Sequence, residues 1–131
     1  MIVALFSTKA RDDRPEAEYR ERSTRMHEIV EAMPGFVSFK EYSAQDGEEV
    51  AVIRFESEEA LRAWATHPEH RAAQRRGREA YYDEYWIQVC TTLREGRFRV
   101  GEPYREDLAE FFSQAPEVSS PRSPRLSPEA V

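Results

Sequence analysis

Three histidines, His27, His67 and His70, are this chain's first candidates for moving a proton at neutral pH. His67 and His70 flank Pro68 at the start of a helix. They read either as two solvent-exposed imidazoles beside a loop or as a general base. Glu69 is the one obvious acidic neighbour, so the 67/70 spacing does not make a metal site, and none is expected. His27 lies mid-helix next to Met26. Facing inward, it is a base in an apolar pocket; facing outward, it is a surface residue.

The aromatic residues nearby could hold a substrate. Trp64 falls on an apolar stripe with Ala60, Leu61 and Ala65, and reads as core packing, as the wall of a pocket, or as both. Tyr81, Tyr82, Tyr85 and Trp86 crowd the passage from the second helix into the last strand. Most should be core or interface residues, while one hydroxyl, with Tyr81 the candidate, could orient a phenolic ligand. Arg71, Arg75, Arg76 and Arg78 read as a solvated helix face paired with Glu79, Asp83 and Glu84. Cys90 has no basic neighbour to activate a thiolate and reads as packing.

Several classes drop out on composition. Acidic residues number 25 against 19 basic ones, for a net charge of −6, which gives nucleic acid no electrostatic purchase. A single cysteine allows no internal disulfide and no multi-cysteine zinc site, so a reducing, cytoplasmic location is expected. The run MIVALF lacks a basic segment ahead of it and is too short for a membrane span, so no membrane partner is expected.

The elements follow from periodicity. Ile2 to Lys9 reads as a strand. A helix begins at Pro15, with Tyr19, Arg22/Ser23, Met26, Ile29/Val30 and Met33 recurring at three- and four-residue spacing as in an amphipathic helix, and ends at Pro34-Gly35. Phe36 to Ala44 alternates, with Phe36, Ser38, Lys40 and Tyr42 on one face and Val37, Phe39 and Glu41 on the other. Asp46-Gly47 turns the chain into the returning strand Glu49 to Glu56. Ser57 caps the next helix, His67 marks a break, and a further helix runs from Pro68 to about Asp83. Trp86 to Val100 reads as the last strand, with Ile87, Val89, Thr91 and Leu93 on one face.

This order predicts an α+β, ferredoxin-like domain over residues 1–100, with an antiparallel sheet and helices on one face. A short extension follows over 101–113, with a candidate helix over Tyr104 to Phe112. A flexible Ser/Pro-rich tail covers 114–131. One helical layer leaves the other sheet face uncovered, which predicts a homodimer packed sheet to sheet.

The segments "MPGFVSFKEY", "VAVIRFESEEALRAW" and "HPEHRAAQRRG" carry a specific resemblance. Over roughly Met1 to Arg99 the chain resembles the antibiotic biosynthesis monooxygenase (ABM) domain family of dimeric α/β barrels. The resemblance implies a cofactor-independent monooxygenase acting with molecular oxygen on a small aromatic of the anthrone or hydroquinone type. It implies that Trp64 lines the pocket. His27, His67 and His70 are then the candidate bases, with Gln74, Ser7 or a tyrosine as donor to an oxyanion. The haem-degrading branch of the family uses a histidine in the second helix and an asparagine on the first strand. Gln74 stands at the first place, Ser7 near the second, and the chain contains no asparagine. The alternatives are a non-catalytic dimeric binding or accessory protein and, less in keeping with Gln74, a haem-degrading enzyme.

Overall fold

Alternating apolar residues of the first and third strands meet across one antiparallel ladder, with Ile2 opposite Phe55, Ala4 opposite Ile53 and Phe6 opposite Ala51. The computed structural model describes residues 1–106, which divide into two units between Cys90 and Thr91. The first holds β1 (Ile2–Ala10), α1 (Glu16–Glu31), β2 (Phe36–Ser43), β3 (Glu49–Phe55), α2 (Glu58–Ala65), α3 (Pro68–Arg76), a π-helical turn (Gly77–Tyr81) and β4 (Tyr82–Thr91), whose last residue crosses the division. The sheet order is β2-β3-β1-β4, the ferredoxin-like arrangement expected. The inner face of the sheet packs Ile2, Ala4, Ile53 and Phe55 against Ile29 and Val30 of α1 and against Ala60, Leu61 and Trp64 of α2. Full burial of side chains this size contributes roughly 1.5–3 kcal/mol each.

Local chemistry explains most of the boundaries. Ser57 Oγ accepts the Ala60 N–H at 3.2 Å, and Glu58 and Glu59 occupy the first turn of α2, where the helix dipole favours negative charge. At the hairpin, Gly47 takes φ +90°, and the Asp46 carboxylate accepts the Glu48 N–H at 3.0 Å.

Three expectations need correction. The alternation expected along β2 breaks because the register shifts between Phe36 and Ser38. Phe36 pairs with Phe55 and Phe39 with Ile53, so both phenylalanines face the helices and Val37 is the extra residue of a bulge. The helix expected to run to about Asp83 is α-helical only to Arg76 and continues as the π turn to Tyr81, and the strand expected from Trp86 begins at Tyr82. That strand ends at Thr91 instead of Val100, so Leu93 does not share a strand face with Ile87 and Val89. In the second unit, β5 (Gly96–Arg97) pairs with β6 (Arg105–Glu106). The rest of the candidate helix over Tyr104 to Phe112, and the tail over 114–131, lie outside the described residues.

Gly35 is required twice at the α1–β2 junction. Its φ of +82° is a left-handed value, and a Cβ there would stand 2.6 Å from the Ala60 Cβ. Gly35→Ala is expected to lower stability by about 2–4 kcal/mol, from left-handed strain plus overpacking. Urea unfolding of the two proteins measures it; a loss below about 1 kcal/mol would mean that the junction relaxes freely.

Candidate functional site

The periodic face of α1 does not close completely on the sheet. Between α1, α3 and the inner sheet face lies a cavity of about 370 Å³. That is within the range of roughly 300–1,000 Å³ found for small-molecule sites. Phe6, Phe39, Ala51 and Ile53 supply its sheet side, and α1 contributes Tyr19, Arg22, Ser23, Met26 and His27. Trp64, His70, Ala73 and Gln74 of α2 and α3, with Tyr81 and Tyr82, complete the wall.

The most buried chemistry is a stacked pair. The rings of Trp64 and His70 lie 4.1 Å apart, tilted by 32°. Both residues are buried, and among the described residues neither Trp64 Nε1 nor His70 Nδ1 has a hydrogen-bond partner. Burial pushes the His70 imidazole down to about 4, although a hydrogen bond to the backbone of Ala65 opposes the shift. The ring is therefore neutral at pH 7. With the Ala65 bond using the other nitrogen, Nδ1 carries the lone pair. An indole N–H donor and an imidazole acceptor thus belong to two stacked residues that line the cavity, each atom buried and without a partner among the described residues.

A second group of polar residues joins α1 to α3, and its members Arg22 and Tyr81 line the cavity. Arg76 donates from Nε and Nη2 to the two carboxylate oxygens of Glu18, at 2.5 and 3.0 Å. The Tyr81 hydroxyl donates to Glu18 Oε1 at 2.8 Å and accepts from Arg22 Nε at 3.2 Å. Arg76 and then Tyr81 hold the Glu18 carboxyl down to about 2. Burial raises the Tyr82 hydroxyl well above its ordinary range, so it stays protonated.

Arg11 fixes the tyrosines in this wall. Its guanidinium donates to the carbonyls of Tyr82 (2.9 Å), Glu79 (2.7 Å) and Arg78 (2.7 Å). Its backbone N–H donates to the Tyr81 carbonyl at 2.9 Å. One side chain thereby satisfies carbonyls that a continuing α-helix would have bonded itself, which stabilises the π turn.

The cavity gathers five of the seven candidates read from sequence: Trp64, His70, Gln74, Tyr81 and His27. His70 is buried, which overturns its reading as a solvent-exposed imidazole. His27 stacks on Phe39 at 4.1 Å, with Nε2 3.4 Å from Glu41 Oε1, and its side chain remains 34% exposed. His67 does not line the cavity; its Nδ1 accepts the Glu69 N–H at 3.1 Å and caps α3. Ser7 pairs with Val50 and sits on the face of β1 opposite Phe6 and Thr8, away from the cavity. Glu18, Arg22 and Arg11 escaped the sequence reading as site residues. The three- and four-residue spacing that links Glu18, Arg22 and Tyr19 to Met26 is the signal that could have found the first two.

Comparison with known proteins agrees with this geometry. The sequence profile of the family described as "Antibiotic biosynthesis monooxygenase" matches residues 1–76. The uncharacterized protein YqjZ of Bacillus subtilis (strain 168) is 30% identical over 97 residues, covering 74% of this chain and 82% of that protein. Among solved structures, Rv0793 from Mycobacterium tuberculosis superposes with a TM-score of 0.61 at 22% identity, covering 70% of this chain and 93% of that one. SnoaB, a cofactor-independent oxygenase from Streptomyces nogalater, gives a TM-score of 0.57 at 16% identity, covering 77% and 97%. At these identities the two structures speak for the fold.

The state of His70 has a consequence for stability. Its folded-state value of about 4 lies below the 6.5 of an unfolded chain, so the unfolded state takes up the proton first as pH falls. The neutral ring costs nothing above pH 6.5, and the penalty accumulates down to about pH 4. Between pH 7 and pH 4.5 the parent protein should lose about 2 kcal/mol more stability than His70→Phe, which keeps the stack but cannot titrate. Urea unfolding of both proteins at the two pH values measures the difference. Equal losses would mean that the imidazole is hydrated when folded.

Proposed function

The chain belongs to the antibiotic biosynthesis monooxygenase family, and on that premise we propose that it is a cofactor-independent monooxygenase of a flat, acidic aromatic of the anthrone or hydroquinone type. The observation that carries this reading is the Trp64–His70 pair, a donor and an acceptor buried side by side among residues that line the cavity. His70 Nδ1 takes the acidic proton of the substrate, and Trp64 Nε1–H donates to the oxyanion that results. A neutral imidazole with a depressed pKa is a weak base alone. An anion forming against it in a cavity of low dielectric raises its proton affinity at that moment. Gln74 and Tyr81 share the wall and complete the polar set around the ring.

The electron balance needs no further redox group. For an anthrone, the ring methylene loses one proton to His70, and the delocalised anion passes one electron to O₂. The radical pair combines at carbon to a peroxide, which is protonated. Loss of the second methylene proton with cleavage of O–O then leaves a ketone. The methylene compound and O₂ thus become a ketone and water, with His70 returned to its neutral form.

The assembly belongs to the same reading. On the outer sheet face, Leu5 stands opposite Val52, and Val50 opposite Tyr42, with Tyr42 and Trp86 54% and 40% exposed. A second copy packed on this face buries a patch that otherwise meets water. The other reading, a dimeric binding or accessory protein, is favoured by one observation: the chain has no asparagine to assist the oxyanion.

Two measurements test these statements. Protein-dependent oxygen uptake with anthrones and hydroquinones, without added cofactor, is expected, and it should fall about 10²-fold or more in His70→Phe and in Trp64→Ala. Tight binding without uptake supports the accessory protein instead. Sedimentation should show a dimer that Val52→Glu converts to a folded monomer; a parent protein that runs as a monomer overturns the sheet-face assembly.

A further inference from the structure

The cavity is electrically lopsided. Its sheet side carries the carboxylates of Glu41 and Glu49, while its α1–α3 side carries the guanidinium of Arg22. The carboxylates whose charge reaches Arg22 are Glu18 and Glu69. Both are already committed. Glu18 is held through both oxygens by Arg76 and also takes the Tyr81 hydroxyl. Glu69 is held through both oxygens by Arg25, at 3.1 and 3.0 Å. Among the described residues Arg22 therefore has no ion pair, and its bond within the site runs from Nε to a neutral phenol, Tyr81. The Arg22 guanidinium therefore presents an unpaired positive charge to a half-buried space.

That surplus has a shape. The Nε bond to Tyr81 holds the guanidinium in place and leaves its two Nη groups for a ligand. A planar pair of N–H donors matches the two oxygens of a carboxylate. We propose that Arg22 is a specificity-determining residue, and that the cavity takes an aromatic acid with its carboxylate on Arg22 and its ring between Phe6, Phe39 and Trp64. Glu41 and Glu49 reinforce the orientation, because they repel the acid group from the sheet side and accept from ring hydroxyls there. The inference rests on the cavity being the ligand site of the oxygenase reading, and it names the substrate class within it.

The test is calorimetric binding of 2-naphthoate and of its neutral isostere naphthalene-2-carboxamide to the full chain, at low and at moderate salt. The parent protein should prefer the acid about tenfold, the difference a charge-assisted pair makes in a screened site. Arg22→Gln should abolish the preference, weakening the acid more than the amide, while Arg22→Lys should keep part of it. Thermal unfolding of each variant checks that it is folded. A preference that survives Arg22→Gln, an equal affinity of the parent for both compounds, or no binding of either overturns the proposal. Arg22-dependent binding of the acid with no oxygen uptake on any aromatic acid upholds this inference while the oxygenase reading falls. Uptake without acid preference does the reverse.

Discussion

The geometry of the cavity depends on where the helical segment after Pro68 stops, and one guanidinium decides that. Arg11 leaves the end of β1 and closes on the carbonyls of residues 78, 79 and 82. Unbroken α-helical winding past Arg76 would carry Tyr81 and Tyr82 around the axis and out of register with the sheet. The π turn instead delivers both tyrosines to the cavity wall and lets β4 begin at once. Gly77 permits this, since a Cβ at that position would stand 2.8 Å from the Tyr82 ring. The polar chain from Arg76 through Glu18 and Tyr81 to Arg22 is built on that placement.

What the sequence revealed and what it hid divide along the range of the interactions involved. Asp46-Gly47, the Ser57 cap and the stripe of Ala60, Leu61, Trp64 and Ala65 are decided within one or two turns of chain, and all stand where local reasoning puts them. The end of α3 is decided by Arg11, more than sixty residues upstream, and no window around Asp83 contains that information. The bulge at Val37 is likewise set by the partner strand, because Phe36 and Phe39 both find apolar partners on β3 only if one residue is looped out. The burial of His70 is hidden from local reasoning for a related reason. Three positions beyond a break, helix phase is not fixed by periodicity, and its burial follows from contact with Trp64 in the preceding helix.

The site was legible as a set of residue types and much less so as an arrangement. Trp64, His70, Gln74 and Tyr81 are all in the segment that draws the eye, and the fold brings them to one cavity. His67 is in the same segment and serves the backbone instead, as a helix cap. The other half of the cavity comes from α1, whose charged residues escaped the sequence reading as site residues. The pairing of Glu18 with Arg76 joins residues 58 apart in sequence, and only that pairing isolates Arg22.

The extra residue in β2 also has a consequence for how copies of the chain meet. Among the described residues β2 is an edge of the sheet, and no strand of that sheet lies beyond it. An even, flat edge would act as a template for another chain's strand and lengthen the sheet without limit. With Val37 looped out, the edge is interrupted close to its start, and the spacing of its donors and acceptors no longer matches a regular incoming strand. Lys40 and Glu41, both exposed, add charge further along it. The same irregularity that turns two phenylalanines inward thus protects the protein against open-ended strand addition.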